Sequence, residues 1–176
     1  YLSIEMINII KASTDDIPVI KGMSSVVFRH TYSTILDNEQ IEYMMEWMYS
    51  TDSLLKQFSE EHVFFIAFKE NIPCGYMSIQ HEESNGIEID IYHLHKLYVM
   101  PTMQGNGVGK LLLETAFSYA GENKDKGYAR IELNVNRNNK AVGFYKRMGM
   151  NIVKEGDFPI GNGYYMNDYI MSIDIV

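Results

Sequence analysis

The stretch from His93 to Lys110 concentrates the side chains and glycines of this chain that could transfer a proton or bind an anion. His93 and His95 alternate with other residues in a run typical of a β-strand, so both imidazoles are expected on one face of a sheet. Imidazole titrates near neutral pH and can take a proton from a nucleophile. Pro101 ends the run because proline has no N–H to donate to a neighbouring strand.

A glycine-rich segment follows the strand, with the sequence Gln104-Gly105-Asn106-Gly107-Val108-Gly109. The next residues, from Lys110 to Ala120, favour a helix by composition and periodicity, so the glycines lie where that helix begins. Main-chain N–H groups at a helix start bind phosphate well, because the helix dipole is positive there and glycine has no Cβ to block the approach.

The spacing of the glycines excludes two common phosphate loops. A Walker loop requires GxxxxGK followed by Ser or Thr, but Leu111 follows Lys110 and Gln104 stands five residues before Gly109. A dinucleotide-binding turn requires GxGxxG, but Lys110 or Leu112 stands where its third glycine would be. The pattern that remains is Q-x-x-G-x-G between a strand and a helix.

Periodicity and capping residues predict the elements that position this segment. A strand, a helix and a second strand in succession around the glycines predict parallel pairing with a right-handed crossover. Turns are expected over 70–75 and 82–86, and a loop over 156–163. Strands are predicted at 7–11, 62–69, 76–80, 87–99, 130–135, 151–154 and 164–173, and helices at about 14–30, 39–48, 107–124 and 140–148, with a further turn or short helix at 53–58.

A second motif, N-x-x-A-x-x-F-Y-x-x-x-G-M, runs from Asn138 to Met150. The two motifs together resemble those of the GCN5-related N-acetyltransferases and cover roughly the last half of the chain. The resemblance implies a single domain over 1–176 with an α/β fold: about four helices and a mixed sheet of six to seven strands, splayed between the strands ending near Val99 and Val135. Met150 departs from the usual Phe of the motif, which affects packing rather than chemistry.

The resemblance also implies that acetyl-coenzyme A is the cosubstrate, and it assigns roles to individual residues. Asn138 and the main chain of the strand end would lie along the pantetheine arm, and the glycine segment would surround the pyrophosphate. Tyr145 would lie near the thioester sulfur and return a proton to the departing thiolate. The residues expected to bind the cofactor are Leu97, Tyr98, Val99, Gln104, Gly105, Asn106, Gly107, Val108, Gly109, Lys110, Asn138 and Tyr145.

An acceptor amine needs a base, because an alkyl ammonium has a pKa of about 10 and is protonated at neutral pH. The spacing H-x-H-x-L-x-V is similar to that of serotonin N-acetyltransferase, in which paired histidines carry the proton. His95 is preferred to His93 because it is nearer the bend. A carboxylate such as Glu88 or Asp90 is the alternative base, and a histidine that only packs within the strand is another interpretation.

The first half of the chain, around 28–32 and over 37–65, resembles the PaiA-type bacterial polyamine acetyltransferases. This resemblance implies a small cationic acceptor such as spermidine or spermine. Aromatic residues that could bind it by cation–π contact are Tyr32, Tyr43, Trp47 and Tyr164. Two other functions remain open: acetylation of a protein amino terminus or lysine side chain, and a coenzyme A sensor or interaction module without turnover.

The composition of the chain limits the kinds of partner and ligand that it is expected to bind. A net charge of −8 without a basic stretch argues against nucleic acid and mildly favours a cationic ligand. No apolar run approaches the length of a membrane span, and no signal peptide is recognised at the start. One cysteine cannot form an internal disulfide, so a cytoplasmic location is expected. The histidines show no metal-ligand spacing, so no metal is expected. Oligomers are common in this family, and a homodimer is compatible with the sequence.

Overall fold

A computed structural model describes residues 6–82 and 88–176 of the chain. Most of the predicted bend over 82–86, together with Ile87, lies outside the described residues. None of the helices within those two ranges is long and apolar enough to cross a membrane. The strands are β1 (Ile7–Lys11), β2 (Val63–Lys69), β3 (Ile72–Glu82), β4 (Ile89–Val99), β5 (Tyr128–Asn136), β6 (Asn151–Gly161) and β7 (Tyr164–Ile175), and the α-helices are α1 (Ile17–Tyr32), α2 (Asn38–Tyr49), α3 (Thr51–Ser59), α4 (Val108–Asn123) and α5 (Ala141–Arg147).

The described strands form one mixed sheet in the order β1-β2-β3-β4-β5-β7-β6. The predicted parallel pairing of β4 with β5 is confirmed, and the strand pairs β1–β2, β2–β3, β5–β7 and β6–β7 are antiparallel. The prediction of six to seven strands in an α/β fold is therefore confirmed. A fifth helix appears because 53–58 belongs to a complete helix, α3, whose first turn is capped by the Ser50 hydroxyl accepting from the Ser53 N–H.

Two hairpins are tighter than the sequence patterns predicted. The β2–β3 turn consists of Glu70 and Asn71, with φ of 49° and 67°, and the β6–β7 turn consists of Asn162 and Gly163, with φ of 53° and 77°. Two successive left-handed residues match the twist of the flanking strands, so each turn needs only two residues. The predicted turn over 70–75 and loop over 156–163 are therefore wrong, because most of both segments continues as strand.

The chain divides into two compact units, and β4 contributes residues to both. The first unit comprises residues up to 80 together with residues 96–116. Its core is aromatic: the Phe28 ring lies 4.6 Å from that of Tyr32 and 6.1 Å from that of Tyr49, between ring centroids. The Tyr49 and Tyr76 hydroxyls share a hydrogen bond of 2.7 Å. Ring packing holds α1 and α2 together, and the buried hydrogen bond between the Tyr49 and Tyr76 hydroxyls holds α2 against β3.

The second unit comprises residues 81–95 and 117–176. Its apolar core includes Ile131 and Leu133 of β5 and Met171 of β7, all buried. A buried carboxylate, Asp90 of β4, accepts hydrogen bonds from the main-chain N–H groups of Asp125 and Lys126 at 2.7 and 2.8 Å. The Nε2 atom of His81 lies 3.0 Å from the same carboxylate. Asp90 therefore fixes the connection between α4 and β5.

Replacing Asp90 with asparagine should lower the free energy of unfolding by about 2 to 3 kcal/mol, because an amide cannot accept all three hydrogen bonds. Burial acts to raise the pKa of Asp90, but the bonds from His81 and the two main-chain N–H groups outweigh it and lower the pKa. This stabilisation should be present above the unfolded-state pKa and disappear as the pH falls towards the folded-state pKa. Urea denaturation at neutral and acidic pH measures both effects.

Asp174→Asn is a suitable control for that measurement, because Asp174 is an exposed aspartate of the same unit. An Asp90→Asn protein as stable as the control at neutral pH would contradict the proposed role of the carboxylate.

Candidate functional site

The glycine loop, defined here as Gln104 to Lys110, lies in the first unit between β4 and α4. Gly105 and Gly107 have φ of 82° and 81°, in the left-handed region that side chains rarely adopt. A Cβ atom at Gly105 would meet nothing within 4 Å, so the loop is open on that side. The backbone conformation thus explains two of the three glycines in the loop, of which Gly107 belongs to the Q-x-x-G-x-G pattern.

Helix α4 begins directly at the loop. The N–H of Leu111 donates to the carbonyl of Gly107 at 3.1 Å, which is the first hydrogen bond of the helix. The N–H groups of the preceding turn, Val108 to Lys110, have no acceptor within the helix. Such groups and the positive end of the helix dipole favour an anion, and binding of a diphosphate in this loop remains a prediction.

Side chains hold the loop in shape. The side-chain amide of Gln104 donates to the carbonyl of Val99 at 3.3 Å, and that of Asn106 donates to the carbonyl of Met103 at 3.3 Å. Both bonds are local: that of Gln104 ties the loop to the end of β4, and that of Asn106 ties it to the turn before the loop. The two amide side chains therefore have a structural role in setting the direction of the loop, and their contact with a cofactor remains a prediction.

A glycine of β3 allows α4 to lie close to the sheet. A Cβ atom at Gly75 would lie 2.9 Å from the carbonyl oxygen of Tyr98, 3.1 Å from a methyl of Leu112 and 3.3 Å from a methyl of Val108. A larger residue would displace the main chain of Tyr98 or push the Val108 and Leu112 side chains of α4 away from β3. Gly75 thus helps to position the first turn of α4.

Lys96 of β4 is a residue whose burial the sequence analysis missed. Its side chain is only 6% exposed, and Nζ donates to Oε1 of Gln57 on α3 at 2.6 Å. Nζ also lies 5.5 Å from the ring centroid of Tyr49 and 5.6 Å from that of Phe64. Burial lowers the pKa of Lys96 to about 7. The signal in the sequence was the position of Lys96 between Leu94 and Tyr98 at a spacing of two, which puts the lysine on the same face of the strand as these two residues.

The residues predicted to bind an acceptor lie in different environments. Tyr32 is buried in the aromatic core, and its hydroxyl is 3.4 Å from that of Tyr98. Trp47 is 49% exposed and stacks on Tyr43 at 6.4 Å between centroids. Tyr164 is the first residue of β7. Trp47 is therefore accessible on α2, whereas Tyr32 contributes mainly to packing, and acceptor binding by any of them remains a prediction.

In the second unit, the two histidines of β4 lie side by side. The ring centroids of His93 and His95 are 4.5 Å apart. His93 is partly buried, with Nδ1 3.8 Å from a carboxylate oxygen of Glu82, whereas His95 is exposed. Burial lowers the pKa of His93, and the charge of Glu132 raises it by less. Burial therefore favours the neutral form of the His93 ring.

The strand register places further polar side chains of β5 and β7 on the same side of the sheet as the two histidines. His93 is the partner of Glu132, and along β5 and β7 the residues Glu132 and Asn136 are the partners of Ser172 and Asp168. Because paired residues point to the same side of a sheet, these side chains share one face. We call this set the polar face: His93, His95, Glu132, Asn134, Asn136, Asp168 and Ser172.

The register between β4 and β5 runs from Ile89–Tyr128 to Leu94–Leu133, although β4 continues to Val99 and β5 to Asn136. The last pair, Leu94–Leu133, therefore falls before both strand ends. The sequence analysis predicted that the sheet opens at those ends.

The second motif forms the turn and helix that follow β5. The N–H of Asn138 donates to the side chain of Asn136 at 2.9 Å, and the N–H of Ala141 donates to the side chain of Asn139 at 2.9 Å. The Asn139 side chain therefore accepts from the first residue of α5, and Asn138 is exposed. Tyr145 of α5 is buried, at 7% exposure, and its position near the thioester sulfur remains a prediction.

Other candidates for chemistry have structural roles. Asp90, the alternative base, is bound by the three donors described above, and the exposed Glu88 accepts the Tyr128 N–H through its main-chain oxygen. Cys74 is 1% exposed, its Sγ lies 3.4 Å from the carbonyl of Ala67, and burial raises its pKa. A buried, protonated thiol is a poor nucleophile, which argues against an acyl-cysteine intermediate.

The glycine loop and the second motif both lie within the part of the chain that matches a known family. The model of the Acetyltransferase (GNAT) family matches residues 30–150. The chain therefore belongs to the GNAT acetyltransferase family.

Two curated relatives match part of the chain. Peptidyl-lysine N-acetyltransferase YjaB of Escherichia coli (strain K12) is 30% identical over 109 residues, which are 61% of this chain and 62% of the relative. Uncharacterized N-acetyltransferase MJ1207 of Methanocaldococcus jannaschii is 33% identical over 92 residues, 51% of this chain and 39% of the relative. The chain thus spans about half the length of the curated relatives it matches.

Solved structures share the fold over nearly the whole chain. The PaiA N-acetyltransferase from Thermoplasma acidophilum, in complex with coenzyme A, is 24% identical, with a TM-score of 0.75 over 94% of this chain and 97% of that one. A GCN5-related N-acetyltransferase from Rhodopseudomonas palustris is 19% identical, with a TM-score of 0.76 over 98% of each chain. These similarities confirm the predicted GNAT fold and the resemblance to PaiA.

Proposed function

We propose that the protein is an acetyl-coenzyme A-dependent N-acetyltransferase that acetylates a primary amine of a small cationic acceptor by direct attack in a ternary complex. The observation that carries the proposal is the glycine loop, with left-handed Gly105 and Gly107 directly before the first turn of α4. Its main-chain N–H groups would hold the diphosphate of the cosubstrate. The solved PaiA structure with coenzyme A supports this choice of ligand.

The two histidines of the polar face supply the base for proton transfer in this proposal. His95 is exposed and takes the proton of the acceptor ammonium, and His93 stands beside it in its neutral form, 4.5 Å away. Tyr145 returns a proton to the coenzyme A thiolate as the thioester breaks. An imidazole can accept a proton near pH 7, and a neutral phenol can donate one to the departing thiolate.

A lysine side chain of a protein is the second candidate acceptor. The specific observation in its favour is the similarity to the peptidyl-lysine N-acetyltransferase YjaB. A lysine ε-amine and a small primary amine require the same proton removal, so the polar face would serve both.

Release of the free coenzyme A thiol from acetyl-coenzyme A separates the candidates. The protein is incubated with small diamines, a lysine-containing peptide, and a peptide with a free amino terminus but no lysine. Rapid release with a diamine supports the proposal, and preferential release with the lysine peptide favours the second candidate. Binding of acetyl-coenzyme A without release for any acceptor would show a binding module and overturn the proposed activity.

His95→Ala should lower the acetylation rate at pH 7 by about 100-fold, the lower end of the usual contribution of a general base. The loss should shrink as the pH rises. Below the acceptor pKa, each increase of one pH unit raises the fraction of free amine about tenfold, so a base is needed less. The rate is measured from pH 6.5 to 9.5 together with the affinity for acetyl-coenzyme A, which should not change. His30→Ala, at an exposed histidine of α1, is the control. An unchanged rate at pH 7 would remove His95 as the base.

A further inference from the structure

Asp168 of β7 carries a buried carboxylate that the proposed proton transfer does not use. Its side chain is 5% exposed, and one oxygen, Oδ2, accepts a long hydrogen bond of 3.4 Å from the side-chain amide of Asn134. The other oxygen, Oδ1, is fully buried and has no hydrogen-bond partner within residues 6–82 and 88–176. A buried carboxylate oxygen is normally paired with a donor, so this oxygen marks a place for a donor that binds from outside.

The guanidinium of the neighbouring Arg137 does not donate to Oδ1 of Asp168. Nη2 of Arg137 donates to Asp157 at 2.8 Å, and Nη1 donates to the main-chain oxygens of Gly156 and Asp168 at 3.2 and 3.5 Å. Burial raises the pKa of Asp168, and the Asn134 bond and the charge of Arg137 lower it by less. An ammonium beside the carboxylate would offset the cost of burying its charge.

The strand register places Asp168 on the polar face with the histidines. Asp168 pairs with Asn136, the last residue of β5, while Leu94, which precedes His95, pairs with Leu133. His95 lies one residue beyond the last β4–β5 pair, Leu94–Leu133. With regular strand spacing, its backbone would be two strands across and about two residues along from that of Asp168, about 12 Å away. Both residues belong to the same face of the sheet, so two nitrogens of one extended acceptor could contact the two residues together.

We propose that Asp168 binds the non-reacting ammonium of a diamine-type acceptor and thereby determines the preference for acceptors with two positive charges. The inference rests on the proposed function and adds a specificity-determining residue to it. Asn134 donates to the carboxylate from the same face, and the reacting amine lies towards His95.

Steady-state kinetics with putrescine and with butylamine, a monoamine of equal chain length, test the proposal. The unmodified protein should prefer putrescine. Asp168→Asn keeps the shape of the side chain and removes its charge, and it should raise the KM for putrescine about 10- to 100-fold, the usual effect of losing a charge-assisted hydrogen bond. Its kcat/KM for butylamine should change less than about twofold, because that acceptor has no second ammonium. Calorimetric titration with putrescine in the presence of coenzyme A should show the same loss of affinity.

Asp174→Asn is the matched control, since Asp174 lies six residues further along β7 and is exposed. It should leave the putrescine-to-butylamine ratio unchanged. An equal ratio in the Asp168→Asn and unmodified proteins, with both active, would overturn the role of Asp168 and leave the proposed function intact. Failure of the unmodified protein to release coenzyme A with any amine would overturn the proposed function and this inference together.

Discussion

Gly107→Val is expected to weaken acetyl-coenzyme A binding by about 100-fold or more. Gly107 has a φ of 81°, where a β-branched residue costs on the order of 1 to 3 kcal/mol in backbone strain. Its carbonyl also accepts the first hydrogen bond of α4, so relief of the strain would displace the N–H groups that follow. The added side chain would further crowd the approach of a diphosphate. Isothermal titration calorimetry with acetyl-coenzyme A measures the effect.

Gly163→Val supplies a control with equal strain, because Gly163 has a φ of 77° in the exposed β6–β7 turn. That variant should lose stability and keep its affinity for acetyl-coenzyme A. If Gly107→Val instead bound the cosubstrate with unchanged affinity, the glycine loop would not be the diphosphate site, and the proposed function would lose its main support.

The buried amine of Lys96 should make the stability of the protein depend on pH above neutrality. Its folded-state pKa of about 7 lies below the value of 10.5 for an unperturbed lysine, so the unfolded chain binds more protons between these values. The free energy of unfolding should therefore rise with pH in this window, by up to about 1.4 kcal/mol per pH unit. Urea denaturation from pH 7 to 8.5 should show an increase of about 2 kcal/mol.

Lys96→Met should remove this slope and raise the stability at pH 7, because no charge then has to be buried against the Tyr49 and Phe64 rings. Lys56→Met is the control, since Lys56 is an exposed lysine of α3 with a side chain that is 74% accessible. Retention of the full slope in Lys96→Met would show that another group titrates in this range.

Much of the fold followed from local patterns in the sequence. The strand–helix–strand order around the glycine loop required parallel pairing of β4 and β5, and a period of two placed both histidines on one face. The tight β6–β7 turn also had a signal, since Asn162-Gly163 is a preferred two-residue hairpin sequence. Glu70-Asn71 contains no glycine, so the equally tight β2–β3 turn depends on the pairing of its strands rather than on turn residues.

The parts of the site that were missed depend on contacts between elements distant in sequence. Lys96 is buried because α3 brings Gln57 to it, and no property of β4 alone specifies that contact. Asp168 belongs to the polar face because the β5–β7 register places it beside Asn136 rather than one residue away. A shift by one residue would turn the carboxylate to the other side of the sheet, so only the register identifies it as a candidate site residue.

The burial of Cys74 has a practical consequence for following motion in solution. Maleimide and similar reagents react with accessible thiolates, and this thiol is both enclosed and held protonated. A second cysteine introduced at an exposed position, for example in place of Trp47, would therefore be the one that reacts quickly. A fluorophore or spin label could be attached there in a single step without replacing the native cysteine.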